Sequence, residues 1–181
     1  AKEVGGDLYD FFLLDDEHLC FTIGDVSGKG VPASLFMAVT KTLIKATADI
    51  NMTPDEILAK VNDNLYQDNE SCMFVSSFLG ILHIPSGEVL YSNGGHKLPY
   101  IVHHDGSCRL LEKTAGIALG VLKGAEYDRS RVKLNRNDIL VLYTDGVTEA
   151  MNKAGELMGS VLFEKVLVTL GSGNARNLTQ G

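Results

Sequence analysis

The sequence predicts an α+β fold built from two antiparallel β-sheets with helices outside them. Two segments with helical periodicity follow each other in the first half of the chain, and short apolar runs separated by tight turns lie on both sides of them. A parallel sheet would instead alternate strands with helices throughout the chain. Sheet packed on sheet, flanked by helices, is therefore the expected architecture.

Length and composition predict one folded domain over residues 1–181. The chain has 181 residues, of which 45% are hydrophobic and 22% charged, and its sequence contains no segment of low complexity. A chain of this size buries roughly 70% of the surface that its unfolded form exposes. A single compact domain is therefore the expectation.

Charge and apolar patterning exclude two classes of partner. The formal net charge is -7, and the sequence has no stripe of Lys and Arg that could displace counterions from a phosphate backbone, so nucleic acid is not an expected partner. No apolar run approaches the roughly 20 residues of a membrane span, so we expect no membrane contact from this domain. The cysteines lie in separate segments and predict free thiols in a reducing compartment, so the expected location is cytoplasmic.

The first half of the chain predicts a hairpin followed by two helices. Apolar runs at residues 8–14 and 19–24 flank a polar turn, which is typical of a β-hairpin. From Pro32 onward apolar residues recur at helical spacing, which predicts a long and largely buried helix. Thr53 and Glu56 form a capping box, so a second helix is expected to start there and to lie beside the first.

The second half of the chain predicts strands and a final helix. The strands are expected at residues 74–84, 89–92, 98–102, 109–111, 129–134 and 139–144. We expect the first three of these to form an antiparallel meander. The last is nearly all apolar, so we expect it at the centre of its sheet. Ser160 is expected to cap a final helix that continues to residue 170.

Three aspartates predict a metal site. Asp7, Asp25 and Asp145 each lie where an apolar run meets a glycine turn. An aspartate in such a position commonly only caps the turn, and that interpretation would suffice for any one of the three alone. Carboxylates brought together at the ends of buried strands repel one another unless a cation lies between them. Hard oxygen ligands without neighbouring Cys or His favour Mg²⁺ or Mn²⁺ over zinc.

A site of this kind is suited to hydrolysis. Two divalent ions held close together can bridge a water molecule, lower its pKa and aim it in line at a phosphorus atom. Asp7, Asp25 and Asp145 would then be catalytic through that metal-bound water. No protein nucleophile would be required.

The glycine-rich segment from Gly24 to Gly30 has two interpretations. It superficially resembles a nucleotide-binding P-loop, but its glycines are too closely spaced and Gly30 stands where a magnesium-binding Ser or Thr would be needed. The interpretation that we favour is that the glycines allow a sharp turn, so that Asp25 and the Val26 carbonyl face the metal. Lys29 is then interpreted as a solvated loop charge.

Three further polar residues are left with two interpretations each. His96, in an Asn-Gly-Gly-His segment, is either a general acid or a hydrogen-bonded structural histidine. Asp10 either orients a metal-bound water or ends a turn. Glu149 either assists the site or is an ordinary loop carboxylate.

Five motifs in the chain occur together in a recognisable order. They are Val4-Gly5-Gly6-Asp7-Leu8-Tyr9-Asp10, Gly24-Asp25-Val26-Ser27-Gly28-Lys29-Gly30-Val31-Pro32-Ala33, Met73-Phe74-Val75, Ser92-Asn93-Gly94-Gly95-His96 and Tyr143-Thr144-Asp145-Gly146-Val147-Thr148-Glu149-Ala150. In these motifs the chain resembles the PPM metal-dependent protein Ser/Thr phosphatases, specifically the bacterial RsbU/SpoIIE type. The resemblance covers almost the whole chain, and the second and last motifs are its most specific parts.

The resemblance implies an αββα sandwich with a dinuclear Mn²⁺ or Mg²⁺ site in a cleft at one edge of the two sheets. Asp7 and Asp25 would bind or bridge the ions, with the Val26 backbone carbonyl as a further ligand. Asp145 would hold the second ion. The substrate would be a phosphoserine or phosphothreonine on a small partner, typically an anti-anti-sigma factor of the STAS fold, which dephosphorylation releases to sequester an anti-sigma factor. Whether the domain forms a homodimer is left open.

The sequence departs from the family pattern in two ways. After Asp145 the only acidic residues are Glu149, Glu156 and Glu164, whereas the family pattern includes a further aspartate near the C-terminus. The chain also begins where family members carry an upstream strand and a sensory or receiver region, so we expect a fragment of a longer regulatory protein. The alternative function is a phosphatase-like module that binds its partner without turnover.

Overall fold

The computed structural model describes residues 6–67, 69–152 and 154–170, and these residues form two compact units, each with its own antiparallel sheet. The first unit comprises the described residues up to His96 together with Lys113–Lys133, and the second comprises Lys97–Glu112 together with the described residues from Leu134 onward. The strands are β1 (Asp7–Leu13), β2 (His18–Val26), β3 (Val75–His83), β4 (Glu88–Gly94), β5 (Tyr100–Val102), β6 (Cys108–Leu110), β7 (Arg129–Lys133) and β8 (Ile139–Val141). The helices are α1 (Val31–Thr47), α2 (Pro54–Gln67), α3 (Asp145–Thr148) and α4 (Gly159–Leu170). The predicted α+β class with two antiparallel sheets and helices is confirmed.

The predicted hairpin is formed by β1 and β2. The two strands pair antiparallel, with Asp7 opposite Asp25 at the open end. At the closed end one carboxylate oxygen of Asp15 accepts hydrogen bonds from the backbone N–H groups of Glu17 at 2.9 Å and His18 at 2.8 Å. This local turn sets the register of the hairpin, and the register brings the two aspartates side by side.

The larger sheet lies in the first unit and has the strand order β1-β2-β3-β4-β7. Side chains alternate along β2, so Cys20 and Val26 are buried while their chain neighbours are half-buried. They belong to one buried cluster with Ile44 of α1 and Ile57 of α2. The two helices therefore cover one face of this sheet, and their apolar contacts hold β2 in place.

Helices α1 and α2 contact each other, as predicted, but α1 is not largely buried. Pro32 lies in its first turn, and only Ala33, Thr40 and Ile44 are buried. Leu35 is 63% exposed. The prediction was wrong because only one stripe of the helix packs against the sheet and α2, whereas the sequence is apolar around most of its circumference. The capping box of α2 is present in part, since the Thr53 N–H donates to Glu56 Oε2 at 2.8 Å.

The smaller sheet lies in the second unit and has the order β6-β5-β8. The predicted meander is therefore correct for β3 and β4 and wrong for β5, which pairs with β6 and β8 instead. Among the described strands β8 lies at an edge and ends at Val141, so its predicted central position is also wrong. The remaining apolar residues of this run are used differently: Tyr143 packs against Phe163 of α4, with ring centroids 4.8 Å apart. Helix α4 begins at Gly159, one residue before the predicted cap.

None of the helices in the described part of the chain combines the length and the apolar character that crossing a membrane requires.

Candidate metal centre and family

The clearest feature of the predicted site is the pair formed by Asp7 and Asp25. The residues are direct partners in the β1–β2 ladder, so both side chains lie on the same face of the sheet. Asp7 is exposed and Asp25 is half-buried. Directly opposite positions place Cβ atoms about 5 Å apart, a separation at which two carboxylates repel each other. The structure thus brings together two of the three predicted acids.

Two glycines allow the backbone to approach the Asp25-Val26 segment closely. The Val26 N–H donates to the Gly6 carbonyl at 3.3 Å, and a Cβ on Gly6 would lie only 2.8 Å from the Val26 carbonyl oxygen. A Cβ on Gly24 would lie 2.6 Å from the Ser76 carbonyl oxygen. Any side chain at either position would push the strands apart. This explains the glycines before Asp7 and Asp25; Val4 and Gly5 of the first motif lie outside the described residues.

The loop after Val26 is attached to Phe74, the residue that directly precedes β3. The Ser27 N–H donates to the Phe74 carbonyl at 2.8 Å, and Ser27 Oγ accepts from the Phe74 N–H at 3.0 Å. Gly28 and Gly30 then adopt positive φ values of 86° and 78°, which turn the chain into α1. Lys29 between them is exposed, as the sequence predicts for a loop charge.

The donors in the first unit fit a hard divalent cation. The Asp7 and Asp25 carboxylates and the Val26 carbonyl are oxygen donors, which suit Mg²⁺ or Mn²⁺ better than zinc. Within the described residues, no three His, Cys, Asp or Glu side chains come together as a metal-binding group. Backbone carbonyls and water would therefore have to complete the coordination in this unit. Mg²⁺ commonly accepts such a shell, since it retains several waters when bound by one or two carboxylates.

Asp145 belongs to the second unit, where it is the first residue of α3. Its side chain is half-buried, and its carbonyl accepts the Glu149 N–H at 2.8 Å and the Thr148 hydroxyl at 3.1 Å. Thr144 is the N-cap, but it makes no side-chain capping hydrogen bond. Glu149 is exposed and caps the C-terminal end of α3. The participation of Asp145 in a metal site stays a prediction.

His96 is held by hydrogen bonds within its own motif. It is 7% exposed, its N–H donates to Asn93 Oδ1 at 2.8 Å, and Asn93 Nδ2 donates to the His96 carbonyl at 2.9 Å. The His96 ring atom Nδ1 lies 2.8 Å from Ser76 Oγ. These contacts support the interpretation of His96 as a hydrogen-bonded structural histidine.

Asp10 lies in the middle of β1, so the interpretation that it ends a turn is wrong. Its Oδ1 atom accepts the Phe11 N–H at 3.0 Å and lies 3.6 Å from Lys41 Nζ of α1. Its Oδ2 atom is buried and has no hydrogen-bond partner among the described residues. Asp10 thus connects β1 to α1, and its part in orienting a water stays a prediction.

Sequence reasoning missed the polar residues that support the site from the neighbouring loop and strand. Asn69 Oδ1 accepts the Met73 N–H at 2.9 Å, and Asn69 Nδ2 donates to the Gly120 carbonyl at 3.1 Å. The Ser76 hydroxyl donates a hydrogen bond to the Asp25 carbonyl oxygen, which lies 3.4 Å from Ser76 Oγ. The only local signal for Ser76 is a pair of serines, Ser76 and Ser77, near the start of a largely apolar strand, because the partners of Ser76 are distant in sequence.

Sequence comparisons identify the family. The family model for stage II sporulation protein E, SpoIIE, matches residues 15–180. Protein IcfG of Synechocystis is 30% identical over 186 residues, covering 88% of this chain and 29% of IcfG. The phosphoserine phosphatase RsbU of Bacillus subtilis is 28% identical over 157 residues, covering 87% of this chain and 47% of RsbU. The chain thus spans less than half the length of these curated relatives.

Solved structures agree with this assignment. The RsbU and RsbW domains of a Mycobacterium tuberculosis protein match with a TM-score of 0.80 and 29% identity, over 98% of this chain and 48% of that one. The SiaA PP2C domain of Pseudomonas aeruginosa matches with a TM-score of 0.84 and 19% identity, over 98% of this chain and 71% of that one, and shows the shared fold. The chain therefore belongs to the SpoIIE family, the RsbU/SpoIIE type of PPM phosphatase domains that its motifs resemble.

Proposed function

We propose that this chain is a metal-dependent phosphoprotein phosphatase domain that hydrolyses phosphoserine or phosphothreonine on a regulatory partner. The observation that carries the proposal is the Asp7–Asp25 pair, which lies at the open end of a hairpin in a chain of the SpoIIE family. Two relatives, RsbU and RsbP of Bacillus subtilis, are named phosphoserine phosphatases. The chain covers 47% of the first and 38% of the second, so the activity of the whole proteins is carried over here as part of the proposal.

The proposed cofactors are two Mn²⁺ or Mg²⁺ ions held by Asp7, Asp25, the Val26 carbonyl and Asp145. When bound, such ions polarise a phosphoryl oxygen and supply a nucleophilic water at neutral pH. The residues of this chain would position the metal ligands. The β1–β2 register aligns two carboxylates, and the Ser27–Phe74 hydrogen bonds hold the loop that follows Val26. RsbX, which has a similar fold at 16% identity, was crystallised in complex with magnesium.

The proposed substrate is a phosphorylated STAS-type anti-anti-sigma factor. Its phosphorylated residue would be presented to the carboxylate pair, and its release would follow dephosphorylation. The proposed unit of function is one catalytic domain over residues 1–181, as part of a longer regulatory protein. The homodimer and the cytoplasmic location stay predictions from the sequence.

The test is hydrolysis of p-nitrophenyl phosphate and of a phosphoserine peptide, with and without Mn²⁺. We expect Mn²⁺-dependent hydrolysis, and we expect Asp25→Asn to lower kcat by about a hundredfold or more because a metal ligand is lost. Asp16→Asn is the matched control, since this exposed aspartate lies in the turn at the other end of the same hairpin. Equal rates for the wild type, for Asp25→Asn and for the metal-free chain would refute the proposed enzymatic activity.

The second candidate is a phosphatase-like module that binds its partner without turnover. It is favoured by the lack, within the described residues, of a group of three metal-binding side chains. The two candidates differ in one measurement on a phosphorylated STAS protein. A phosphatase releases inorganic phosphate from it in the presence of Mn²⁺, whereas the module binds it and leaves the phosphate in place.

A further inference from the structure

A half-buried serine connects the Asn93–His96 turn to the candidate metal centre. Ser76 lies on β3 directly opposite Asp25 of β2 in the antiparallel ladder. Its Oγ atom lies 3.4 Å from the Asp25 carbonyl oxygen on one side and 2.8 Å from His96 Nδ1 on the other. A continuous chain of polar contacts therefore runs from His96 through Ser76 to the backbone of Asp25.

The number of available protons determines which group donates in each of these two hydrogen bonds. A serine hydroxyl has one proton to donate, so Ser76 cannot donate to both Asp25 and His96. The arrangement that satisfies both contacts has the His96 Nδ1–H donating to Ser76 Oγ, while the Ser76 hydroxyl donates to the Asp25 carbonyl. In this arrangement His96 sets the rotamer of Ser76.

The turn that carries His96 is itself rigid. The Asn93 side chain bonds to both the N–H and the carbonyl of His96, and the Asn93 N–H donates to Thr114 Oγ1 at 3.1 Å. Gly95 has a φ of 75° and forms a bridge with Ser77, the neighbour of Ser76 on β3. A Cβ on Gly95 would lie 3.1 Å from the Ala118 nitrogen. The Asn-Gly-Gly-His motif therefore holds the imidazole against Ser76.

We propose that His96 is a positioning residue that acts through Ser76 to fix the Asp25-Val26 backbone. The carbonyl of Asp25 is held in place, and with it the direction in which the Asp25 carboxylate and the Val26 carbonyl leave the strand. The proposal explains why an Asn-Gly-Gly-His motif accompanies the Gly-Asp motif of β2. It rests on the proposed function only in linking this backbone to metal binding.

The first test is amide hydrogen exchange of the metal-free chain. The measured quantity is the ratio of exchange rates for residues 24–27 to those for residues 18–21 at the other end of β2. We expect Ser76→Ala and His96→Ala each to raise this ratio about fivefold, as for the loss of one hydrogen bond, and the double variant to raise it no further. His96→Asn should keep the wild-type ratio, because its Nδ2–H can replace the imidazole donor.

Ser92→Ala is the matched control for this test. Ser92 is a buried serine on β4, and its hydroxyl donates to the Asp128 carbonyl at 2.8 Å. We expect its loss to leave the ratio along β2 unchanged. A ratio that stays at the wild-type value in Ser76→Ala, or effects of the two single variants that multiply in the double variant, would overturn the proposal.

The second test is the affinity of the full chain for Mn²⁺ by titration calorimetry. We expect His96→Ala to weaken Mn²⁺ binding about fivefold and His96→Asn to restore it, with Ser92→Ala unchanged. Unaltered affinity in His96→Ala and Ser76→Ala would overturn the proposal. A wild-type chain that binds no Mn²⁺ would instead refute the proposed function, and the exchange ratio would still decide whether His96 positions this backbone.

Discussion

The segments around Asp25 and Asp145 share a sequence signature but are built by different physical means. Asp25 is the second-last residue of a nine-residue strand and is paired on both sides, with Asp7 on β1 and Ser76 on β3. Asp145 begins a four-residue helix that follows a strand of three residues, which lies at an edge among the described strands. The first segment is held by backbone ladders and side-chain hydrogen bonds, whereas the second follows a residue that packs in an aromatic cluster.

The aromatic cluster consists of Tyr100, Tyr143 and Phe163. The Tyr143 and Phe163 centroids lie 4.8 Å apart, and Tyr100 contacts Phe163 edge to face at 5.9 Å. Burial raises the pKa of the Tyr143 hydroxyl above its ordinary value. The comparison shows that an aspartate next to a glycine at the end of an apolar run does not specify how that aspartate is held. The two segments should therefore respond to different substitutions.

The largest effect is expected from Phe163→Ala in the second unit. Phe163 is 8% exposed and packs on Tyr143, two residues before Asp145. Its removal should lower the free energy of unfolding by about 3–5 kcal/mol, as for large-to-small changes in a core. Urea denaturation measures this loss. Leu162→Ala is the control because Leu162 is 49% exposed, and an equal loss in both variants would contradict the proposed role of the cluster.

A smaller effect is expected from Gly24→Ala, compared with Gly146→Ala. A Cβ on Gly24 would lie 2.6 Å from the Ser76 carbonyl oxygen, whereas the nearest atom to a Cβ on Gly146 would be Thr144 Oγ1 at 3.7 Å. Gly24→Ala should therefore lower the free energy of unfolding by about 2–3 kcal/mol through overpacking. Gly146→Ala should change it by less than about 1 kcal/mol. Similar thermal unfolding midpoints for the two variants would show that the backbone around Gly24 yields more easily than its contacts indicate.

The smallest effect concerns Asp138, a hydrogen-bonded anchor just before β8 in the second unit. Burial acts to raise the pKa of Asp138, but hydrogen bonds from the Asn135 N–H at 2.9 Å and His103 Nδ1 at 3.1 Å outweigh it, so the pKa lies below its ordinary value. A carboxyl whose pKa is depressed by folding stabilises the protein above its unfolded pKa of about 3.9, and this contribution is lost as the pH falls through the folded pKa.

We therefore expect the free energy of unfolding of the wild type to fall as the pH drops below about 4, and to fall less steeply in Asp138→Asn. Urea denaturation at a series of pH values measures both slopes. Identical slopes would mean that Asp138 does not contribute to the acid sensitivity of this unit. Asp16→Asn serves again as an exposed control.

Local patterns in the sequence predicted the hairpin, the two main helices and the glycine turn that follows Asp25. Each of these depends on neighbours within a few residues, such as the Asp15 turn or the Thr53–Glu56 contact. The motifs also indicated the SpoIIE family correctly. The local structure that a short segment prefers by itself was therefore predictable from its residues.

Only the tertiary structure decided which strands pair and which polar side chains meet. Asp25 and Ser76 are 51 positions apart in the chain, so nothing near either residue indicates that they are opposite each other. The same holds for β5, which leaves the predicted meander, and for β8, which lies at an edge among the described strands. The reason is that strand partners and buried hydrogen bonds are selected by the packing of distant segments, whereas residue pattern and turn chemistry act only over short distances along the chain.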